Sequence, residues 1–183
     1  MVILTLMFIL GHIGLTIGLV LLGIVLFNRK DLIYQLDFRI IAVFAVLPDI
    51  IDKITGHVLL GGSLNNGRLF CHTLLFMIIF AMIFFFIVGQ KWWVFTFPII
   101  THQLFDYIWT DPQTWLWPYA GWQFESQQID VWAHWLTVLT SDPYIITTEI
   151  FGIIVILAVF INFKLIRKKN LSLFLRKGKL PQN

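Results

Sequence analysis

The chain has 183 residues, of which 58% are apolar, 16% are aromatic and only 13% are charged, with a formal net charge of +3. Because about 25% of the residues of a soluble domain are charged, this composition excludes a disordered chain, a coiled coil and an ordinary cytosolic globule. The single cysteine, Cys71, excludes an internal disulfide and a metal site built from cysteines.

Five apolar runs follow one another along the chain, and a bilayer span needs about 20 such residues. They cover residues 2–27, 38–51, 69–88, 92–109 and 144–163. The first run lacks the basic start and small-residue cleavage site of a signal peptide, so we expect a retained helix. Without an alternation of period two, only helices can span the bilayer. The sequence therefore predicts an all-α, polytopic bundle with about five transmembrane helices in the inner (cytoplasmic) membrane. Residues 1–166 form its single domain, and residues 167–183 form a basic cytoplasmic tail.

Lysine and arginine residues set the predicted orientation. With the N-terminus outside and the C-terminus in the cytoplasm, eleven of them lie inside and two, Lys53 and Arg68, lie outside. The tryptophan-rich stretch 113–143 is then external, and residues 129–139 have the spacing of a short interfacial helix. We interpret its tryptophans as interfacial anchors, with a lid over a lipid-facing cleft as the alternative. The basic tail is interpreted as a topology anchor that touches anionic lipid, not as a nucleic-acid site.

Six metal-ligand side chains lie in or at the ends of the apolar helices, all at a similar predicted depth. They are His12, Asp49, Asp52, His72, His102 and Asp106. An unpaired aspartate at the centre of a membrane helix costs about 2.5–3.5 kcal/mol, so such residues are functional by default. The spacings 49/52 and 102/106 place each pair on one helix face. The set suits Zn, with Mn or Fe as alternatives, and one or two ions. A structural polar network without metal is the alternative.

Basic and acidic neighbours of this set have predicted roles as well. Lys53 and Arg68 would neutralise a phosphate, or else form salt bridges to Asp49 or Asp52. Asp52 is a candidate proton acceptor if it does not bind the metal. We interpret His57 and His134 as solvated residues. Glu149 is interpreted as an interfacial acid, with a seventh ligand or an orienting group as alternatives.

The order and spacing of several short motifs are similar to those of a known family. They are Gly11-His12, the run 47–53 (LPDIIDK), the run 66–75 (NGRLFCHTLL), the run 102–106 (HQLFD) and Trp117-Pro118. Over about residues 11–122 the chain resembles the YdjM-like family of inner-membrane metal-dependent hydrolases. The resemblance implies a distant similarity to zinc-dependent phospholipase C and P1-type nucleases, and it marks the same six residues as metal ligands, with Arg68 beside them.

Two positions depart from the motif of that family. Gly67 stands where many relatives have a histidine, and Cys71 replaces a threonine. The missing imidazole favours one or two ions over a trinuclear site.

We therefore expect an integral-membrane, metal-dependent hydrolase that cleaves a phosphoester by means of metal-activated water in the outer half of the bilayer. Lys53, Arg68 and Asp52 are the candidate catalytic residues. The expected partners are membrane lipid and a lipid-phosphate or phospholipid substrate, with no nucleic acid, and the oligomeric state is left open. The alternative is a non-enzymatic protein that binds a divalent metal, such as a transporter, a sensor or an assembly subunit.

Overall fold

The computed structural model describes residues 7–61, 63–128 and 130–181, and within these ranges the chain is helical with no strand. Residues 2–6 of the predicted first helix and Ile129 of the predicted interfacial helix lie outside the described residues. The helices are α1 (Ile9–Leu26), α2 (Phe38–Lys53), α3 (Leu74–Val88), α4 (Trp93–Phe105), α5 (Pro112–Trp115), α6 (Val131–Ser141), α7 (Pro143–Asn162) and α8 (Lys168–Lys177).

Three helical segments are long and apolar enough to cross a membrane: Ile9–Leu26, Leu74–Lys91 and Pro143–Asn162. The predicted helical architecture is thereby confirmed for the part of the chain that the structure describes, and three of its segments have the length and composition of membrane spans. Helices α2 and α4 have only 16 and 13 residues, so the predicted number of five spans and the predicted orientation stay predictions.

Helices α1, α2 and α4 form the centre of the bundle, while α7 packs on α1 and α3 packs on α4. No residue of α3 is buried, so its apolar side chains are available to lipid. The contact between α1 and α7 is close because Gly14 faces the backbone of Gly152, where a side chain would not fit.

An apolar core lies at the end of the bundle where α2 begins. It is formed by Ile17, Val20, Ile24, Leu36, Phe38, Ile41, Val94, Leu165 and Leu180. Leu180 belongs to the segment after α8, and this part of the chain folds back onto α2. Phe38 N–H donates to the Gly178 carbonyl at 2.8 Å. The Arg39 guanidinium donates to the Leu175 carbonyl at 2.7 Å. Residues 168–181 are therefore packed against the bundle.

The opposite end of the bundle, which we call the polar end, is where α2 and α4 finish and α1, α3 and α7 start. Helix α2 contains Pro48 and continues directly into a π-helical turn, Ile54–Leu59. Pro48 removes one backbone donor from the helix, and π-helical turns are frequent at functional sites. At the same end α6 begins at Val131, close to the predicted start of the interfacial helix, with Asp130 accepting from Trp132 N–H and Ala133 N–H.

Candidate metal centre

Four buried side chains from three parts of the chain meet at the polar end. Asp49 comes from α2, His72 from the 3₁₀ turn before α3, and His102 and Asp106 from the last turn of α4 and its C-cap. One ligand atom from each lies within 4.8 Å of the others, and all four residues are buried. We call these four residues the metal cluster.

The distances between the ligand atoms fit a single coordination shell. His72 Nε2 lies 3.2 Å from His102 Nε2 and 3.6 Å from Asp106 Oδ2. Asp49 Oδ1 lies 3.7 Å from His72 Nε2 and 3.9 Å from His102 Nε2. Ligands about 2.1 Å from a tetrahedral zinc lie roughly 3.4 Å apart, so these four distances are close to that spacing, while the whole set lies within 4.8 Å.

The hydrogen bonds of the two imidazoles decide where their protons are. His102 Nδ1 lies 2.8 Å from the Ala45 carbonyl, which can only accept, so Nδ1 carries the proton. His72 Nδ1 lies 2.7 Å from Asp52 Oδ2 and likewise donates to the carboxylate. In the neutral rings both Nε2 atoms therefore carry lone pairs, and these atoms face each other across 3.2 Å.

Asp52 holds the 3₁₀ turn that presents His72. Its Oδ2 accepts from Leu69 N–H at 2.7 Å and from Cys71 N–H at 3.0 Å, in addition to His72 Nδ1–H. Gln103 fixes the same turn by donating to the Cys71 carbonyl at 2.7 Å. Because its carboxylate is occupied by these donors, Asp52 lies behind His72 and acts through it.

His12 lies at the edge of the metal cluster. Its ring stacks on that of His102 with 4.0 Å between the centroids, and its Nε2 lies 3.3 Å from Asp106 Oδ1. Among the described residues, the two ring nitrogens of His12 have no partner in hydrogen-bonding geometry, and the same holds for Asp49 Oδ1. Buried polar atoms are rarely left without a partner, so these atoms have spare capacity for a ligand.

Each carboxylate of the metal cluster is also paired with a cation. Lys53 Nζ lies 2.6 Å from Asp49 Oδ2, which agrees with the salt-bridge alternative for this lysine. Arg68 Nη2 donates to the Asp106 carbonyl at 3.1 Å and lies 3.4 Å from its Oδ2, so its partner is Asp106 and not Asp49 or Asp52. The cations compensate the buried negative charge that would otherwise be costly.

Other predicted residues lie around this site. Glu149 is buried, and its Oε1 accepts from Gly11 N–H at 2.8 Å, next to His12. His57, predicted to be solvated, is half-buried against Trp135 and bonds to Asn65. Neither the Ala45 carbonyl nor Gln103 could be recognised from the sequence, because backbone acceptors and their partners depend on how α2 and α4 are packed.

A family model described as YdjM inner membrane protein matches residues 7–171. The chain belongs to the YdjM inner membrane protein family. The predicted family and the location in the inner membrane are thereby confirmed. No curated protein and no solved structure matches the chain.

Proposed function

We propose that this YdjM-family protein is an integral-membrane, metal-dependent hydrolase of phosphoesters, with a lipid phosphate or a phospholipid headgroup as its substrate. The single observation that carries the proposal is the pair of His72 and His102 Nε2 atoms, 3.2 Å apart with both Nδ1 atoms acting as donors. In the neutral rings two lone pairs face each other at that distance, an arrangement that a cation bound by both nitrogens and by the neighbouring carboxylates would stabilise.

The residues of the metal cluster fit a divalent cation in ligand type as well as in distance. His72, His102, Asp49 and Asp106 would hold it, and His12 is the candidate for an additional ligand. This nitrogen and oxygen set suits Zn, Mn or Fe. A bound ion of this kind supplies Lewis acidity for a phosphoryl oxygen and lowers the pKa of water.

The surrounding residues have roles that follow from their contacts. Asp52 fixes the ring of His72 and makes its Nε2 more basic, as carboxylates behind metal-binding histidines do. Lys53 and Arg68 hold Asp49 and Asp106 in position and bring two positive charges to the site. An anionic phosphate that approached this end of the bundle would meet those charges.

The substrate class follows from the place of the site in a membrane protein. The metal cluster lies at the polar end, where with an external N-terminus it would face the outer half of the bilayer. In that orientation a lipid would approach the cluster from the side, with its headgroup at the level of the cluster. The resemblance to zinc-dependent phospholipases supports hydrolysis of a phosphoester.

Release of phosphate or headgroup from defined lipids tests the proposal. Purified protein is incubated with phosphatidic acid, a polyprenyl phosphate or phosphatidylglycerol, with and without added Zn²⁺, Mn²⁺ or Fe²⁺. We expect hydrolysis of one class that is abolished by chelator and by His102→Ala but not by His134→Ala, a matched change on α6. Activity that survives His102→Ala would refute the metal assignment.

One observation favours a non-enzymatic metal-binding protein as the second candidate. All four residues of the metal cluster are buried, whereas catalytic metals keep an open coordination position. Stoichiometric metal that stabilises the fold, without hydrolysis of any lipid, would support this candidate. Transport is less well supported, because Thr16 is bonded to Thr101 and Thr96 to the Trp92 carbonyl, so these hydroxyls do not mark an ion path.

A further inference from the structure

A groove of about 470 Å³ lies beside the metal cluster, between the end of α2 and α6. Its lining combines polar and apolar side chains. The lining includes Lys53, His57, Asn65, Val58, Trp132 and Trp135. None of these residues belongs to the metal cluster, so the groove is a separate feature that is joined to the cluster through Lys53.

Lys53 brings a positive charge to the polar part of the groove. Its Nζ is bonded to Asp49 Oδ2 at 2.6 Å and lies 5.5 Å from the centre of the Trp135 ring. An ammonium group has three N–H donors, and Asp49 takes one of them. The side chain is partly exposed, so its remaining donors can reach an anion in the groove.

One ring nitrogen of His57 keeps a lone pair and lies next to Gly67. Its Nδ1 lies 3.0 Å from Asn65 Oδ1, and because that oxygen accepts, Nδ1 donates and Nε2 keeps a lone pair. Nε2 would lie only 2.8 Å from a Cβ atom at Gly67, and Lys53 Cγ would lie 3.2 Å from the same atom. A side chain at Gly67 would therefore displace His57, Lys53 or both from their present positions.

Several apolar side chains of the lining are exposed to the surroundings. Val58 is 73% exposed and Trp132 is 74% exposed, and Ile54 lies next to them in the lining. Exposed apolar side chains beside a cation are typical of a surface that binds an amphiphilic molecule.

We propose that this groove binds a lipid whose headgroup combines an anionic phosphate with a hydroxyl. The phosphate accepts from Lys53 Nζ, the hydroxyl donates to His57 Nε2, and the acyl chain lies over Val58 and Trp132. This inference rests on the proposed function, because it assigns the headgroup subsite of the same lipid-phosphate substrate. Free phosphate shares the charge but lacks the chain, so it should bind far more weakly.

Lipid binding to the full chain in detergent, measured by native mass spectrometry, tests the assignment without relying on activity. The probes are phosphatidylglycerol, which has an anionic phosphate and free hydroxyls, phosphatidylcholine, which has neither a net charge nor a hydroxyl, and inorganic phosphate. We expect the full chain to bind phosphatidylglycerol in preference to both other probes.

Two variants remove the His57 contact in different ways. His57→Phe keeps a ring but loses its acceptor, and Gly67→Ala places a Cβ atom 2.8 Å from the present position of His57 Nε2, so the ring must move. We expect each to weaken phosphatidylglycerol binding about fivefold, as the loss of one hydrogen bond would, with phosphatidylcholine unchanged. His134→Phe is the matched control, since His134 is not in the lining, and it should bind like the wild type. Circular dichroism and thermal unfolding confirm that the variants are folded.

The outcomes separate this inference from the proposed function. Unchanged phosphatidylglycerol binding in both folded variants, or equal binding of phosphatidylcholine, would overturn the groove assignment even if hydrolysis were observed. Tighter binding of inorganic phosphate than of phosphatidylglycerol would also overturn it, in favour of a soluble anion. Selective binding that is sensitive to His57→Phe supports the groove, and if no lipid is hydrolysed then the proposed function alone fails.

Discussion

The substitution Asp52→Asn removes the charge that holds His72 while it keeps the size of the side chain. An amide oxygen at the position of Oδ2 has two lone pairs, but three donors point at Oδ2: Leu69 N–H, Cys71 N–H and His72 Nδ1–H. The amide nitrogen would lie at the position of Oδ1, 3.1 Å from Cys71 N, where donor meets donor. One charge-assisted hydrogen bond is thus lost, which costs about 1.5–3 kcal/mol.

Two measurements check this prediction. The free energy of unfolding of the metal-free protein should fall by about 2–3 kcal/mol, and the metal affinity, measured by competition with a chelating dye, should fall 10- to 100-fold as expected for a carboxylate behind a metal-binding histidine. Asp130→Asn is the control, because asparagine caps a helix as well as aspartate does and Asp130 caps α6 far along the chain from the cluster. Metal affinity of Asp52→Asn within twofold of the wild type would refute the role assigned to Asp52.

Two further predictions concern the fold. Gly14→Ala should destabilise the protein by about 1–3 kcal/mol, because the new methyl group would overlap the Gly152 backbone. Gly23 has open space around it, so Gly23→Ala should be neutral or should stabilise the protein by up to about 1 kcal/mol. Unfolding in denaturant compares the two variants, and equal changes in the free energy of unfolding would contradict the close packing of α1 on α7. Burial raises the pKa of Asp37, but hydrogen bonds and the charge of Arg39 outweigh it, so the pKa of Asp37 is lowered overall. Its contribution to stability is then present above about pH 4 and is lost as the pH falls through the lowered value, so the melting temperature of the wild type should drop more between pH 5 and pH 3 than that of Asp37→Asn.

The sequence predicted the composition of the metal cluster better than its shape. Helical spacing put His102 and Asp106 on one face, and the structure brings both of them into the metal cluster with two others of the six predicted ligands. Spacing alone could not separate Asp49 from Asp52. The two share a face of α2, but Asp52 meets the backbone of the turn 69–72, which is far away in the sequence.

Local and distant contacts differ in how well the sequence reveals them. The Lys53–Asp49 ion pair is an i,i+4 contact on one helix and was open to prediction from spacing. The Arg68–Asp106 pair joins residues 38 positions apart, and it depends on how the turn before α3 approaches the end of α4. The groove could not be predicted either, because it needs the position of α6 beside the π-helical turn that carries His57.

The location of a bound metal by anomalous diffraction tests the central claim most directly. Diffraction from crystals of the purified protein is measured above and below the absorption edge of the metal that elemental analysis finds. The anomalous difference map should show a peak in contact with His72 Nε2, His102 Nε2 and the carboxylates of Asp49 and Asp106. Protein that contains no metal after purification with added Zn²⁺, Mn²⁺ and Fe²⁺, or a peak bound elsewhere on the chain, would contradict the account.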